Sequence, residues 1–151
     1  MVNRIIEFSN KNSFFVFGAR GTGKTHLLQK QYAHGHNWYI DLLSPDLARQ
    51  YLLTPSVLSQ ELAARKPAPE WVIIDEVKKV PALLDVVHQQ IETTGQKFIL
   101  SGSSARKLKR GAGNLLAGRA FVYNLFPLTA REMGSAVSLN DFIKLVETSS
   151  T

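Results

Sequence analysis

The sequence of 151 residues contains no cysteine, so disulfides and thiolate metal sites are excluded, which suits a reducing compartment. It also lacks any apolar run near the roughly 20 residues needed to span a bilayer. Its opening, MVNRIIEFSN, has no long apolar core of the kind a secretory signal requires. These absences predict a cytoplasmic protein with no membrane partner. No internal repeat, low-complexity tract or linker interrupts the chain, and only the final ETSST reads as disordered. Acids are missing from one long segment. From Thr93 to Arg131 stand Lys97, Arg106, Lys107, Lys109, Arg110, Arg119 and Arg131, with no Asp or Glu. The whole chain has 18 basic and 12 acidic residues, so its net charge of +6 resides in that segment. Such a stripe is one signature of a polyanion partner.

What is present is ordinary for a folded domain: 44% hydrophobic and 20% charged residues, in a length suited to one core. Ser13 to Phe17, SFFVF, is a short run of β-formers, followed by GARGTGKT and then LLQKQYA. That order predicts strand, glycine loop and helix. WYIDL, Trp38 to Leu42, predicts a second strand. Ser44-Pro45 and Thr54-Pro55 each set a capping side chain before a proline, which predicts two helices. WVIID, Trp71 to Asp75, is apolar throughout and predicts a central strand covered on both faces. VPALLDVVHQQIETTG has helical spacing and ends in glycine, and two more strands are expected at Lys97 to Leu100 and Ala120 to Leu125. The alternation argues for an α/β fold with a parallel sheet, helices on both faces and ligands at the carboxyl ends of the strands.

Gly18 to Thr25, GARGTGKT, fits G-x-x-x-x-G-K-[ST]. In that pattern backbone N–H groups wrap phosphate oxygens, the lysine reaches the β- and γ-phosphates, and the hydroxyl binds Mg²⁺. Gly18, Gly21 and Gly23 let the backbone turn without a Cβ facing the phosphates. Average residue frequencies would produce the pattern by chance in about 1% of chains this long, and the flanking strand and helix lower that figure. The expected nucleotide contacts are therefore Gly18, Ala19, Arg20, Gly21, Thr22, Gly23, Lys24, Thr25 and His26. WVIIDE supplies the complement about fifty residues on. Asp75 is expected to support Mg²⁺ and Glu76 to orient a water, which favours hydrolysis over transfer to a second substrate.

FILSGSS should follow a strand lying beside the glycine-loop strand, which brings Ser103 and Ser104 towards the γ-phosphate. Taken in order, GARGTGKT, YIDLL, WVIIDEVKKVP, LSGSSARKLKRGAGNLLAGRA and FPLTARE resemble a family of bacterial and archaeal AAA-like ATPases. The likeness covers about Asn12 to Met133. It implies a three-layer P-loop core of the ASCE type with five parallel strands in the order 5-1-4-3-2. It also implies ATP and Mg²⁺, with Lys24 on the phosphates, Thr25 and Asp75 on the metal, and Glu76 polarising water. Ser103 or Ser104 becomes the sensor. Arg119, with Arg106 behind it, becomes the candidate arginine finger, a charge worth several orders of magnitude in rate; the alternative for Arg119 is a surface ion pair or a helix C-terminal charge.

The resemblance further implies an ATP-binding core over residues 1–134 and a short C-terminal helix and tail over 135–151. On that expectation the lid and extra C-terminal domain usual in the family are absent. Two positions depart from the pattern. Lys78 stands where many relatives carry glutamine, with an expected effect on surface charge alone, and Arg20 should point out of its loop towards a neighbouring subunit. Other residues have plainer readings. His34 and His36 lack a third ligand and read as loop residues, not a metal site. His26 should lie on a helix surface, while Trp38, Trp71, Phe14, Phe15 and Phe17 should pack.

Two functions follow. The first is a Mg²⁺-dependent ATP hydrolase whose binding and turnover switch the orientation of a partner or of a missing domain, with ATP and ADP as ligands and a homo-oligomer or partner protein expected. The second is a nucleic-acid-binding module, using Arg106, Lys107, Lys109 and Arg110, in which the nucleotide is structural or regulatory. The plainer reading of that cluster is a solvated helix face. A P-loop kinase ranks third because no phospho-acceptor is evident.

Overall fold

The computed structural model describes residues 8–18, 23–103 and 121–125. Strand β1 (Phe14–Gly18) leads to α1 (Lys24–Gln31), β2 (Asn37–Asp41), α2 (Pro45–Leu53) and α3 (Val57–Ala64). Then come β3 (Trp71–Asp75), a 3-10 turn (Val77–Lys79), α4 (Leu83–Thr94), β4 (Lys97–Gly102) and β5 (Phe121–Leu125). All five strands run parallel in the order β2-β3-β4-β1-β5, the expected 5-1-4-3-2 order read from the other edge. Each strand lies within a residue or two of its expected position. WVIID is interior as expected, although β4 and not β3 is the middle strand.

Period-two alternation divides the strand side chains between two cores. Phe15, Phe17, Val72, Ile74, Phe98 and Leu100 face one way and are covered by residues of α2, α3 and α4, including Tyr51, Leu58 and Val87. Phe14, Val16, Trp71, Ile73, Ile99 and Tyr123 face the other way and are covered by Leu27 and Leu28 of α1. Because helices cover both faces, interior strands can be apolar throughout. Aromatic edges close the second core: Phe14 meets Trp71 at 5.5 Å and Tyr123 at 5.2 Å between ring centroids. Trp38 packs against the first core, and the Arg65 guanidinium lies 3.9 Å from its ring centroid.

Helix boundaries correct two details. Ser44 is the N-cap of α2 with Pro45 in the first turn, but its side chain makes no capping hydrogen bond. Asp41 does the polar work of the turn, accepting the Leu43 N–H at 2.9 Å. Thr54 does not start α3. Its N–H still bonds to Gln50 O at 3.1 Å and closes α2, so Ser56 becomes the N-cap of α3. The two helices are also joined by the Tyr51 hydroxyl, which donates to Glu61 Oε1 at 2.7 Å. Gly95 ends α4 with a left-handed φ of 72°, a conformation that glycine adopts without steric cost.

Phe98 is fully buried and Leu53 is 78% exposed. Phe98→Ala should therefore cost about 3–5 kcal/mol in urea denaturation, whereas Leu53→Ala should stay within about 0.5 kcal/mol.

Candidate functional site

The site forms where the carboxyl ends of β1, β3 and β4 meet the N-terminus of α1. Gly23 precedes α1 with φ 81°, and Lys24 and Thr25 occupy the first helical positions. No acid lies in that first turn, so the positive end of the helix is left for an external anion.

Asp75 ends β3 and is fully buried, a costly position for a carboxylate without partners. Three hydroxyls supply them. Thr25 donates to Oδ2 at 2.9 Å and Tyr39 donates to the same oxygen at 2.6 Å. Ser101 donates to Oδ1. Its oxygen also accepts the Glu76 N–H at 3.1 Å, so one serine orients both acids of the Asp75-Glu76 pair.

Glu76 has φ 61° and ψ 52°, the left-handed region, and is the positive-φ non-glycine residue among those described. Such a backbone costs on the order of 1–2 kcal/mol and recurs where function dictates geometry. The twist turns the 8% exposed Glu76 side chain inward, and Oε1 lies 2.9 Å from Lys24 Nζ. Among the described residues Oε2 has no hydrogen-bond partner. A cavity of about 590 Å³ opens here, lined in part by Gly23, Lys24, Thr25, Glu76, Lys78 and Ser103.

The sequence-predicted residues Lys24, Thr25, Asp75 and Glu76 are thus gathered into one place, with Gly18 at the end of β1 and Gly23 at the start of α1. His26 lies exposed at the mouth, as expected for a helix-surface residue. Ala19, Arg20, Gly21, Thr22, Ser104 and Arg119 lie outside the described residues, as do Arg106, Lys107, Lys109 and Arg110. Tyr39 and Ser101 went unrecognised in the sequence. A signal existed for Ser101: a hydroxyl within a strand buried on both faces must find a polar partner. Lys78 was expected to alter surface charge alone, but it is half-buried and its Nζ donates to Ser103 Oγ at 2.6 Å inside the cavity. His36 Nε2 lies 2.9 Å from Pro67 O, and among the described residues no group of three or more His, Asp or Glu is placed for a metal.

Mg²⁺ takes oxygen ligands and completes its shell with water and phosphate, so one carboxylate beside one hydroxyl is a sufficient protein contribution. Asp75 and Thr25 meet that requirement, and Glu76 Oε2 is a buried acceptor without a partner among the described residues.

The strand order, the lysine and threonine at the first helix, and the acid pair at the end of β3 define a P-loop ATPase of the AAA type. The chain belongs to a family described as AAA domain, whose profile matches residues 10–134. No curated protein matches it. Among solved structures, the Pif1 helicase of Bacteroides sp in complex with ADP-AlF4 superposes with a TM-score of 0.50. It is 15% identical over 82% of this chain and 41% of that one, a likeness that shows the fold. Domain III of the Thermotoga maritima replication initiation protein DnaA gives a TM-score of 0.41 at 20% identity, over 81% of this chain and 57% of that domain. The chain thus spans about two fifths of the length of the Pif1 chain. No described helix is long and apolar enough to cross a membrane.

The hydroxyl cage can be probed by mutation and by pH. Ser101→Ala leaves Asp75 Oδ1 and the Glu76 N–H without their partner and should destabilise the fold by about 1–3 kcal/mol in denaturant titrations. Burial first, then donation to Asp75, pushes the Tyr39 phenol well above its ordinary 10, and burial likewise raises Tyr32 and Tyr51. The unfolded chain ionises these phenols near pH 10 while the fold keeps them protonated, so their contribution is whole below that pH and is lost progressively as the pH rises above it. The urea midpoint should fall between pH 9 and pH 11, and fall less in Tyr39→Phe.

Proposed function

We propose that this chain binds ATP with Mg²⁺ and hydrolyses the β-γ phosphoanhydride, acting as the switch ATPase core of a larger assembly. The observation that supports this reading is the joined set of Lys24 with Glu76 and Thr25 with Asp75, which brings together the residues assigned to the phosphates, the metal and the water. The N-terminus of α1 and the Lys24 ammonium bind the phosphates. An arriving triphosphate competes for Lys24, and its departure leaves the Glu76 carboxylate free to accept a hydrogen bond from water. Glu76, oriented through its own N–H on Ser101, then draws a proton from that water as oxygen attacks the γ-phosphorus. The bond to the bridging oxygen breaks and ADP leaves with that electron pair. Asp75, with Thr25, would hold Mg²⁺, which when bound offsets charge on the phosphate oxygens. Ser103 or Ser104 is assigned as the sensor hydroxyl and Arg119 as the candidate arginine finger; Ser104 and Arg119 lie outside the described residues.

Glu76→Gln should keep ATP affinity while lowering turnover by about 10²-fold or more, measured as phosphate release beside a binding titration. Turnover at the wild-type rate would refute this mechanism.

A second reading rests on the acid-free segment from Thr93 to Arg131, whose charge suits a nucleic acid. Replacing Arg106, Lys107, Lys109 and Arg110 by glutamine should weaken binding to a labelled single strand and flatten its salt dependence, by up to about 0.7 in log-log slope for each phosphate no longer neutralised. Unchanged affinity and slope would remove this reading.

A further inference from the structure

We propose that Lys78 is a second phosphate-binding cation of the cavity, held in place by Ser103, and that it distinguishes ATP from ADP within one chain. The inference rests on the ATP reading above and adds to it the residue that detects the terminal phosphate. It begins with charge. Lys24 already faces Glu76 at 2.9 Å, and Asp75 adds a second negative group beside Thr25. Without Lys78 the formal charges at the described site, Lys24 and Lys79 against Asp75 and Glu76, cancel. With the acids offsetting Lys24 and Lys79, the described side chains give a triphosphate no net positive charge. Lys78 supplies the excess.

Its placement is built from the backbone upward. The left-handed Glu76 starts the 3-10 turn, closed by Lys79 N–H to Glu76 O and Val80 N–H to Val77 O, both at 3.0 Å. Val77 and Val80 are fully buried and pin this turn to the core. Lys78 is thereby carried on the cavity side, two residues beyond the carboxylate assigned to water activation. Its partner is a neutral hydroxyl, Ser103 Oγ at 2.6 Å, and no described carboxylate lies within ion-pair distance. A half-buried ammonium held by one hydroxyl keeps its charge available to an incoming anion. Ser103 ends this arrangement just beyond β4, the strand that pairs with β1. As an acceptor from Lys78 it retains its own proton for a phosphate oxygen, so it acts as a positioning residue that can also donate.

α1 receives phosphates at its N-terminus, and Lys78 lines the same cavity on the turn that follows Glu76. Glu76 is the carboxylate assigned to the water that attacks the γ-phosphorus, so a cation two residues beyond it is suited to the terminal phosphate, which ADP lacks. Removal of Lys78 should therefore penalise ATP selectively.

The test is competition binding of ATP and of ADP, each with Mg²⁺, to the full chain and to Lys78→Gln, Lys78→Arg and Ser103→Ala, with thermal melting to verify folding. Lys78→Gln should weaken ATP by about tenfold and ADP by less than about twofold. Lys78→Arg should retain the preference, and Ser103→Ala should lose part of it. Equal weakening of both nucleotides, or no change in either, would overturn the role of Lys78 while wild-type binding leaves the ATP reading standing. A wild-type chain that binds neither nucleotide would overturn both. Lys78→Arg keeps the test decisive should Lys78→Gln fail to fold, because loss of the preference in a folded arginine variant counts against a charge-based sensor.

Discussion

A single carboxylate, Asp75, is the point on which this architecture turns. It is fully buried at the end of an interior strand and meets hydroxyls from three different elements: Thr25 on α1, Tyr39 on β2 and Ser101 on β4. A buried charge is tolerated only when its lone pairs are satisfied, so these donors bind the fold and the site together. Each also fixes an element: α1 against the sheet, the edge strand β2 against β3, and β4 in register with the acid pair. Loss of any one donor weakens packing and chemistry alike.

Glu76 shows the complementary constraint. Its left-handed backbone is held by Ser101 at the amide and by the buried Val77 just beyond it, and its carboxylate is engaged by Lys24. Strain at the backbone and an unpartnered Oε2 coexist in the same residue. The backbone conformation belongs to the start of the 3-10 turn, while the carboxylate is fixed by its ion pair with Lys24.

The topology explains why these parts converge. In the order β2-β3-β4-β1-β5, β1 lies between β4 and β5 while the chain leaving it crosses to the far edge before returning through β3 and β4. The crevice at such a reversal opens at the carboxyl ends of the strands. Gly18, Asp75 and Ser103 all stand there. The second core, rich in aromatic edges, fastens α1 from behind, and the first core fastens the turn carrying Lys78.

Lys24, Thr25, Asp75 and Glu76 were legible in the sequence because each belongs to a contiguous motif whose spacing reflects local backbone geometry. The strands and helices were legible through periodicity, and the sheet order was implied by the resemblance to AAA-like ATPases. Thr54 misled because a threonine before proline can close one helix as readily as open the next, and only the hydrogen bond to Gln50 O distinguishes these. Tyr39 and Ser101 were hidden for another reason. Their hydroxyls reach Asp75 only through the parallel register that sets Asp41 beside Asp75 and Leu100 beside Ile74. Lys78 was hidden because its direction depends on the positive φ of Glu76. The sequence by itself thus determined the fold class, the glycine motif before α1 and the paired acids, which are local patterns of side chain and backbone. The tertiary structure alone decided which hydroxyls hold Asp75, that Glu76 grips Lys24, and that Lys78 faces inward, because those contacts join residues brought close only by strand pairing and a left-handed turn.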